Sequence, residues 1–388
     1  MQLREKQLRR LVEKAFPNIE HFHSKVTVDF EKLENAKSFW SEIFLARLRI
    51  KHGSEDVHAL PDTVFIKIPR ISENVLRCED GSAVDQLQQT LDYYSRKENL
   101  FYKHFAHGSI ANFPFPKVYY TEDIDGEATG GLVAENLSAE VFAVEHIPGL
   151  NGQQVNRLVE ALAGFHAHLM KRDDKEYVTD FEEGAHGREV FAEGMQNMMF
   201  EEALRLETVD PQIFGNGRIQ KIGWSFDYEN KNKALAEAIR AIPGILAHAD
   251  LNVTNILWQK DSPTDAIRAV IDFQMVLVGS VAHDIIRILT LGLGREERRR
   301  TSRGYLEHYH RTLAGFFDGK PPFSLDELHH EYNHYFPFSS NFALFGISLY
   351  IKMYADGTLG TADSRQANCD ELVDRARGIV EDIEALKQ

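Results

Sequence analysis

The stretch HADLNVTNILW, His248 to Trp258, sets one histidine, one aspartate and two asparagines directly before an apolar run. Polar side chains beside a buried segment cost free energy unless they are hydrogen-bonded or used. Asp250 and Asn255 lie on a loop running into the strand-like Ile256–Trp258, and Asp272 sits at the end of a second strand-like piece, AVIDF. The turn-forming QKDSPTD between the two pieces allows a short hairpin, which brings Asn255 and Asp272 together. An asparagine oxygen and a carboxylate, completed by phosphate oxygens and water, suit Mg²⁺. Asp250 is then left to take a proton from an incoming hydroxyl. A base, a metal held by Asn and Asp, and a lysine for the phosphates are the parts of phosphoryl transfer from ATP.

The lysine candidate is Lys67 in TVFIKIP, a charge set among Val64, Phe65, Ile66 and Ile68. Such a charge needs a partner, and the helical run that follows offers Glu98 in SRKENLFY. A strand lysine held by a helix glutamate would aim its ammonium at the nucleotide phosphates. Each residue alone has a plainer reading. Asp250 and Asn255 favour turns, Lys67 suits an exposed edge strand, and Glu98 suits a solvated helix face. Their order along one chain is what makes the chemical reading the stronger.

Two kinds of element must position these residues. The first third alternates strand and helix. SFWSEIFLARLRI and TVFIKI are rich in β-branched and aromatic residues, whereas DQLQQTLDYYSRKENLFYKHFA spaces its apolar residues as a helix does. KVYYTED and GGLVAENL read as a strand pair about a turn at Asp125–Gly126. From about Asn151 onward helices dominate, led by the amphipathic GQQVNRLVEALAGFHAHLM. The expected class is α+β and bilobal: a small β-rich lobe, a larger mainly helical one, and a cleft for ligand between them. The division expected is a helical extension over 1–25, a nucleotide-binding lobe over 26–137, and a helical lobe with the catalytic loop and acceptor site over 138–388.

HxDxxxxN followed by IDF, with FIKIP upstream, is similar to the protein-kinase-like fold in its small-molecule branch. More closely, the chain resembles the ecdysteroid-kinase-like, choline-kinase-like (CHK) family, related to aminoglycoside phosphotransferases. ENLFY, LVAENL, ALAGFHA and VIDFQMVLVGSVAHDIIRIL support this, in order from about Val26 to the C-terminal helices. The resemblance implies Asp250 as catalytic base with His248 orienting the loop. It implies Asn255 and Asp272 as metal ligands, and Lys67 and Glu98 as the ion pair at the nucleotide. It puts Glu135, Asn136 and Leu137 at the adenine hinge, and makes Asp284 a structural tie to the catalytic loop. The activity implied is an ATP- and Mg²⁺-dependent transfer of the γ-phosphate to a hydroxyl of a small organic molecule.

Three departures from the family stand out. Ala249 occupies a position where relatives usually carry Gly, and Gln274 follows Asp-Phe where protein kinases have Gly. The nucleotide-covering loop falls at LENAKSFWS, which has no glycine. Backbone amides approach phosphate less freely there, leaving the hydroxyls of Ser38 or Ser41 to contribute. That loop motivates the alternative of a catalytically silent pseudokinase acting as a binding or regulatory module.

Other patterns are weaker. HEYNH, His330 to His334, fits the HExxH zinc pattern, but no Asp, Glu or His follows from Tyr335 to Ala355 to complete it, and Pro337 is expected to end the helix. His283-Asp284 matches the metal-phosphohydrolase HD pair, whose all-helical fold does not suit AVIDF. REERRR, interleaved with Glu296 and Glu297, reads as a solvated helix face.

Composition limits the partners. Lys and Arg number 44 against 59 Asp and Glu, a formal net charge of −15, which argues against a nucleic-acid binder. Cys78 and Cys369 are the two cysteines, without CxxC spacing, which suits a reducing compartment. No apolar run reaches membrane-spanning length, and MQLREKQLRRLVEKAF lacks a signal-peptide core. The expectation is a cytoplasmic protein with a small-molecule hydroxyl acceptor as partner. Its sequence points to no particular oligomeric state.

Overall fold

A computed structural model describes residues 2–33, 40–54, 60–71, 81–106, 108, 110–125, 128–183, 188–262 and 264–387. The class is α+β: an N-terminal antiparallel five-stranded sheet followed by a largely helical part. The chain forms two compact units. One comprises 1–109, 115–141 and 272–275, and the other 110–114, 142–271 and 276–388.

In the first unit, β1 (Val26–Lys32), β2 (Ser41–Ile50), β3 (Thr63–Pro69), β4 (Val118–Asp125) and β5 (Ala128–Glu135) pair in the order β1-β2-β3-β5-β4. Along β3 the period of two puts Val64, Ile66 and Ile68 on one face. They are buried there with Leu8, Leu11, Val12 and Ala15 of helix α1 (Gln2–Ala15), whose spacing is helical. Glu42 and Glu122 fasten α1 to the sheet, the first accepting from Arg4 and the second from Arg10 and Lys14. Lys67 belongs to the opposite face of β3. Helix α2 (Gly81–Phe105) buries Leu91, Tyr94, Glu98, Phe101, Tyr102 and Phe105, one stripe with a glutamate in its middle.

In the second unit, β6 (Leu246–Ala247) leads into the HADLN loop. The hairpin β7 (Ile256–Gln259) and β8 (Ile267–Val270) follows, with Ile256 opposite Val270, and β9 (Leu277–Val278) returns to pair with β6. Helix α3 (Gly152–Lys171) opens on a capping box between Asn151 and Gln154. Helix α4 (His283–Gly292) is buried along its whole length. Two expectations are corrected here. Pro337 does not end its helix but lies inside α6 (Leu325–Ala355), 31 residues long. REERRR, at the start of α5 (Arg295–Gly315), is not a solvated face throughout. Arg298 is buried and paired with Asp382, and Arg299 bonds Glu381 and Asp382 of α7 (Arg365–Leu386). Charge runs that meet an opposite run on a packed helix become interfaces, which composition alone does not disclose.

Candidate active site

Lys67 Nζ donates to Glu98 Oε2 at 2.7 Å and to Asp272 Oδ1 at 2.6 Å, all three within the first unit. Burial by itself drives the Lys67 ammonium down. The Asp272 and Glu98 carboxylates more than reverse that and leave its pKa raised. One cation thus lies between two carboxylates. Phe273, next in the chain, stacks on Phe101 of α2 with ring centres 3.6 Å apart, anchoring the Asp272 backbone. Asp272 itself is left-handed, with φ 69°. Tyr102 lies beside the pair; burial pushes its phenol up, and the charges of Glu98 and Asp272 add to the effect.

Ser41 lines a recess of this unit together with Trp40, Lys67, Glu98, Leu132 and Gln274. Ser38 and most of the glycine-free loop lie outside the described residues. Glu135 ends β5 opposite Val64, and its carboxylate accepts the Lys117 amide at 2.8 Å. Asn136 donates to the Thr63 hydroxyl at 3.1 Å, and Leu137 is buried. The side chains of Glu135 and Asn136 are therefore engaged in holding the strand ends.

The HADLN loop belongs to the second unit. His248 Nδ1 accepts the Asp250 amide at 3.2 Å, which places its proton on Nε2, 2.9 Å from the Ile271 carbonyl. Asn255 Nδ2 donates to the Asp250 carbonyl at 2.9 Å and to its carboxylate Oδ2 at 3.2 Å. Asn255 O in turn accepts the amide of Ile271, the residue before Asp272. Asn252 shapes the turn: Oδ1 accepts the Thr254 amide and hydroxyl at 2.9 and 2.6 Å, and Nδ2 donates to Asp250 Oδ1 at 3.2 Å. Its sequon is read by the fold as a turn.

Asp284 holds this loop from below. Its Oδ2 and Oδ1 accept the amides of His248 and Ala249 at 2.7 and 2.9 Å. Burial pushes the Asp284 carboxyl up, against the pull of the His248 and Ala249 amides and of the Arg287 charge. Ala249 is left-handed, with φ 63°, a conformation glycine adopts without steric cost. The departure at Ala249 is thus a backbone strain.

One residue escaped the sequence reading. Arg287 Nη2 donates to Asp250 Oδ1 at 2.8 Å while its side chain is 1% exposed, so Asp250 is not a lone carboxylate. Its signal was a charge inside the apolar DIIRILTL, three residues after Asp284 and hence on the same helix face. In the HEYNH stretch, Glu331 is buried and accepts from the Ser280 hydroxyl, and His334 pairs with Glu237 at 3.1 Å. Among the described residues no three or more His, Cys, Asp or Glu side chains gather to hold a metal ion.

Residues 27–388 match the family DUF1679, described as uncharacterized oxidoreductase dhs-27. An uncharacterized kinase-like protein of Caenorhabditis elegans is 33% identical over 384 residues, 96% of this chain and 98% of that protein. The chain belongs to this family. Among solved structures, a GDP complex of an aminoglycoside 2'-phosphotransferase-IIIa variant is similar over 97% of this chain and 96% of its own, with 12% identity and a TM-score of 0.46. An ADP-bound aminoglycoside phosphotransferase APH(2'')-Ib is similar over 96% of this chain and 98% of its own, with 12% identity and a TM-score of 0.40. No helix among the described residues is long and apolar enough to cross a membrane.

Proposed function

We propose that the chain is a small-molecule kinase that transfers the γ-phosphoryl group of ATP to a hydroxyl of an organic acceptor. The observation that carries this reading is Lys67, bonded at once to Glu98 and Asp272, residues 31 and 205 positions away in the chain. The names within the family point two ways. A dinucleotide-dependent oxidoreductase of the doubly wound kind uses a parallel sheet and a G-x-G-x-x-G turn. This sequence has no G-x-G-x-x-G, and the five-stranded sheet is antiparallel throughout. The kinase-like name of the relative agrees with the residues.

In this reading Lys67, held by Glu98, binds the nucleotide phosphates, and Ser41 with the peptide groups of Glu135 to Leu137 completes the nucleotide contacts. Asn255 Oδ1 and the Asp272 carboxylate would hold Mg²⁺, a hard-oxygen donor set that fits it. The metal, when bound, neutralises charge on the phosphates. Asp250 orients the acceptor hydroxyl. As the alcohol oxygen bonds to the γ-phosphorus, the bond from phosphorus to the β,γ-bridging oxygen breaks. Its electron pair leaves with ADP, and the hydroxyl proton passes to the Asp250 carboxylate. His248 keeps the loop in shape.

The test is Mg²⁺-dependent ADP release from ATP across a panel of alcohols. Asp250→Asn is expected to lower the rate by about 10²–10⁴-fold in protein that circular dichroism shows to be folded at the assay temperature, with a lowered unfolding temperature because Arg287 loses its counter-charge. Full activity in that variant overturns the assignment of the base. Calorimetry showing no binding of Mg-ATP at millimolar concentration overturns the kinase reading and favours the silent module.

A further inference from the structure

We propose that Arg287 is a positioning residue for Asp250 and that, by neutralising it from inside the fold, it restricts the acceptor to alcohols bearing no positive charge. The proposal rests on the kinase reading for the role of Asp250, but its charge rule is read by binding as well as by turnover. Arg287 is 1% exposed and bonds the Asp250 carboxylate at 2.8 Å. Its guanidinium carbon lies 3.5 Å from the centre of the Phe342 ring, and among the described residues Nε and Nη1 have no hydrogen-bond partner. A cation stacked this closely cannot swing away to make room for another, and a buried charge is poorly screened.

Acceptors that carry an ammonium are recognised by an unbalanced carboxylate or by an open aromatic face. Here the Asp250 charge is matched by Arg287, and the Phe342 face is covered by the same guanidinium. The other groups facing Arg287 do not restore an anionic pocket. Asp284 has both oxygens on backbone amides and is 1% exposed. Tyr350 of α6 stays a neutral phenol, because burial pushes it up and the Asp250 charge adds to the effect. The neighbouring His283 is likewise held uncharged by burial, with the charges of Lys231 and Arg287 pushing the same way. A neutral alcohol needs no counter-charge from this set, whereas a cationic one finds the Asp250 charge already matched and the Phe342 face already covered.

Matched pairs of acceptors test the rule in the full chain, with choline against 3,3-dimethyl-1-butanol and glucosamine against glucose. The neutral member of a pair is expected to be used at least about tenfold better in kcat/KM. Arg287→Met is expected to lower kcat more than it raises KM for the neutral member, and to erase or invert the charge preference. Arg287→Lys keeps the preference and recovers part of kcat, which a purely structural arginine would not show. Preference for the cationic members in the wild type overturns the proposal. So does an Arg287→Met variant that loses activity equally for both members in step with its unfolding temperature. Ligand-observed NMR reads the same preference without ATP, so absent ADP release with intact nucleotide binding sinks the kinase reading and leaves the charge rule standing. No response to any neutral or anionic alcohol at millimolar concentration overturns the rule.

Discussion

In the first unit a single ammonium, Lys67, is shared between two carboxylates, and one of these, Asp272, remains 26% exposed on its side chain. In the second unit Asp250 is matched one to one by a buried guanidinium, and Asp284 spends both oxygens on backbone amides. The first arrangement keeps a negative surplus, the kind of set to which the proposed kinase reading assigns a metal ion. The second is balanced, and its polar groups are spent on holding a loop still. Charge left over marks where a charged ligand is expected, and charge cancelled marks where geometry matters more than field.

This contrast can be broken by substitution. Asp284→Ala strands two buried amides, each worth about 1–3 kcal/mol, so urea unfolding should report a loss of roughly 3–5 kcal/mol. A loss under about 1 kcal/mol would mean that the loop holds itself. Lys67→Met leaves two carboxylates facing each other. Breaking a buried pair costs about 3–5 kcal/mol, and the exposure of Asp272 reduces this to roughly 2–3 kcal/mol. The Lys67→Met/Glu98→Gln double variant should regain part of the loss, and if it does not, the pair is not where the energy lies.

Acid sharpens the comparison, because the second unit also hides a titratable group by keeping it neutral. Burial lowers His166 from 6.5 to about 3, and its Nδ1 lies 2.7 Å from the Tyr309 hydroxyl. The unfolded chain takes up this proton near 6.5 and the folded chain only near 3. Stability is therefore full above about pH 6.5 and falls by about 1.4 kcal/mol per pH unit on acidification toward pH 3. His166→Gln keeps a hydrogen-bonding group without titrating, so its acid unfolding should be flatter by that slope. The smallest effect has the opposite sign. Ala249→Gly relieves a left-handed alanine and should raise stability by up to about 1 kcal/mol, read as an increase in unfolding temperature.

Much of this was legible from residue types and spacing. The alternation of Val64, Ile66 and Ile68 around Lys67, the turn between Ile256 and Val270, and the helical stripe carrying Glu98 each follow from periods of 2 and 3.6. What was missed is long-range. Pro337 looked like a helix end because its missing N–H is a local property, yet packing on both sides carries α6 through it. REERRR looked solvated because its partners, Glu381 and Asp382, lie more than 80 residues away.

The sequence by itself determined the α+β class, the order of Lys67, Glu98, Asp250, Asn255 and Asp272, and the elements that carry them, since hydrophobic periodicity and turn chemistry are local. Only the tertiary structure decided that Lys67 bonds Glu98 and Asp272 together, that Asp284 collects two loop amides, and that Arg287 neutralises Asp250. Those pairings are set by burial. A charge taken out of water must find a partner wherever the fold brings one, and that partner has no fixed distance along the chain.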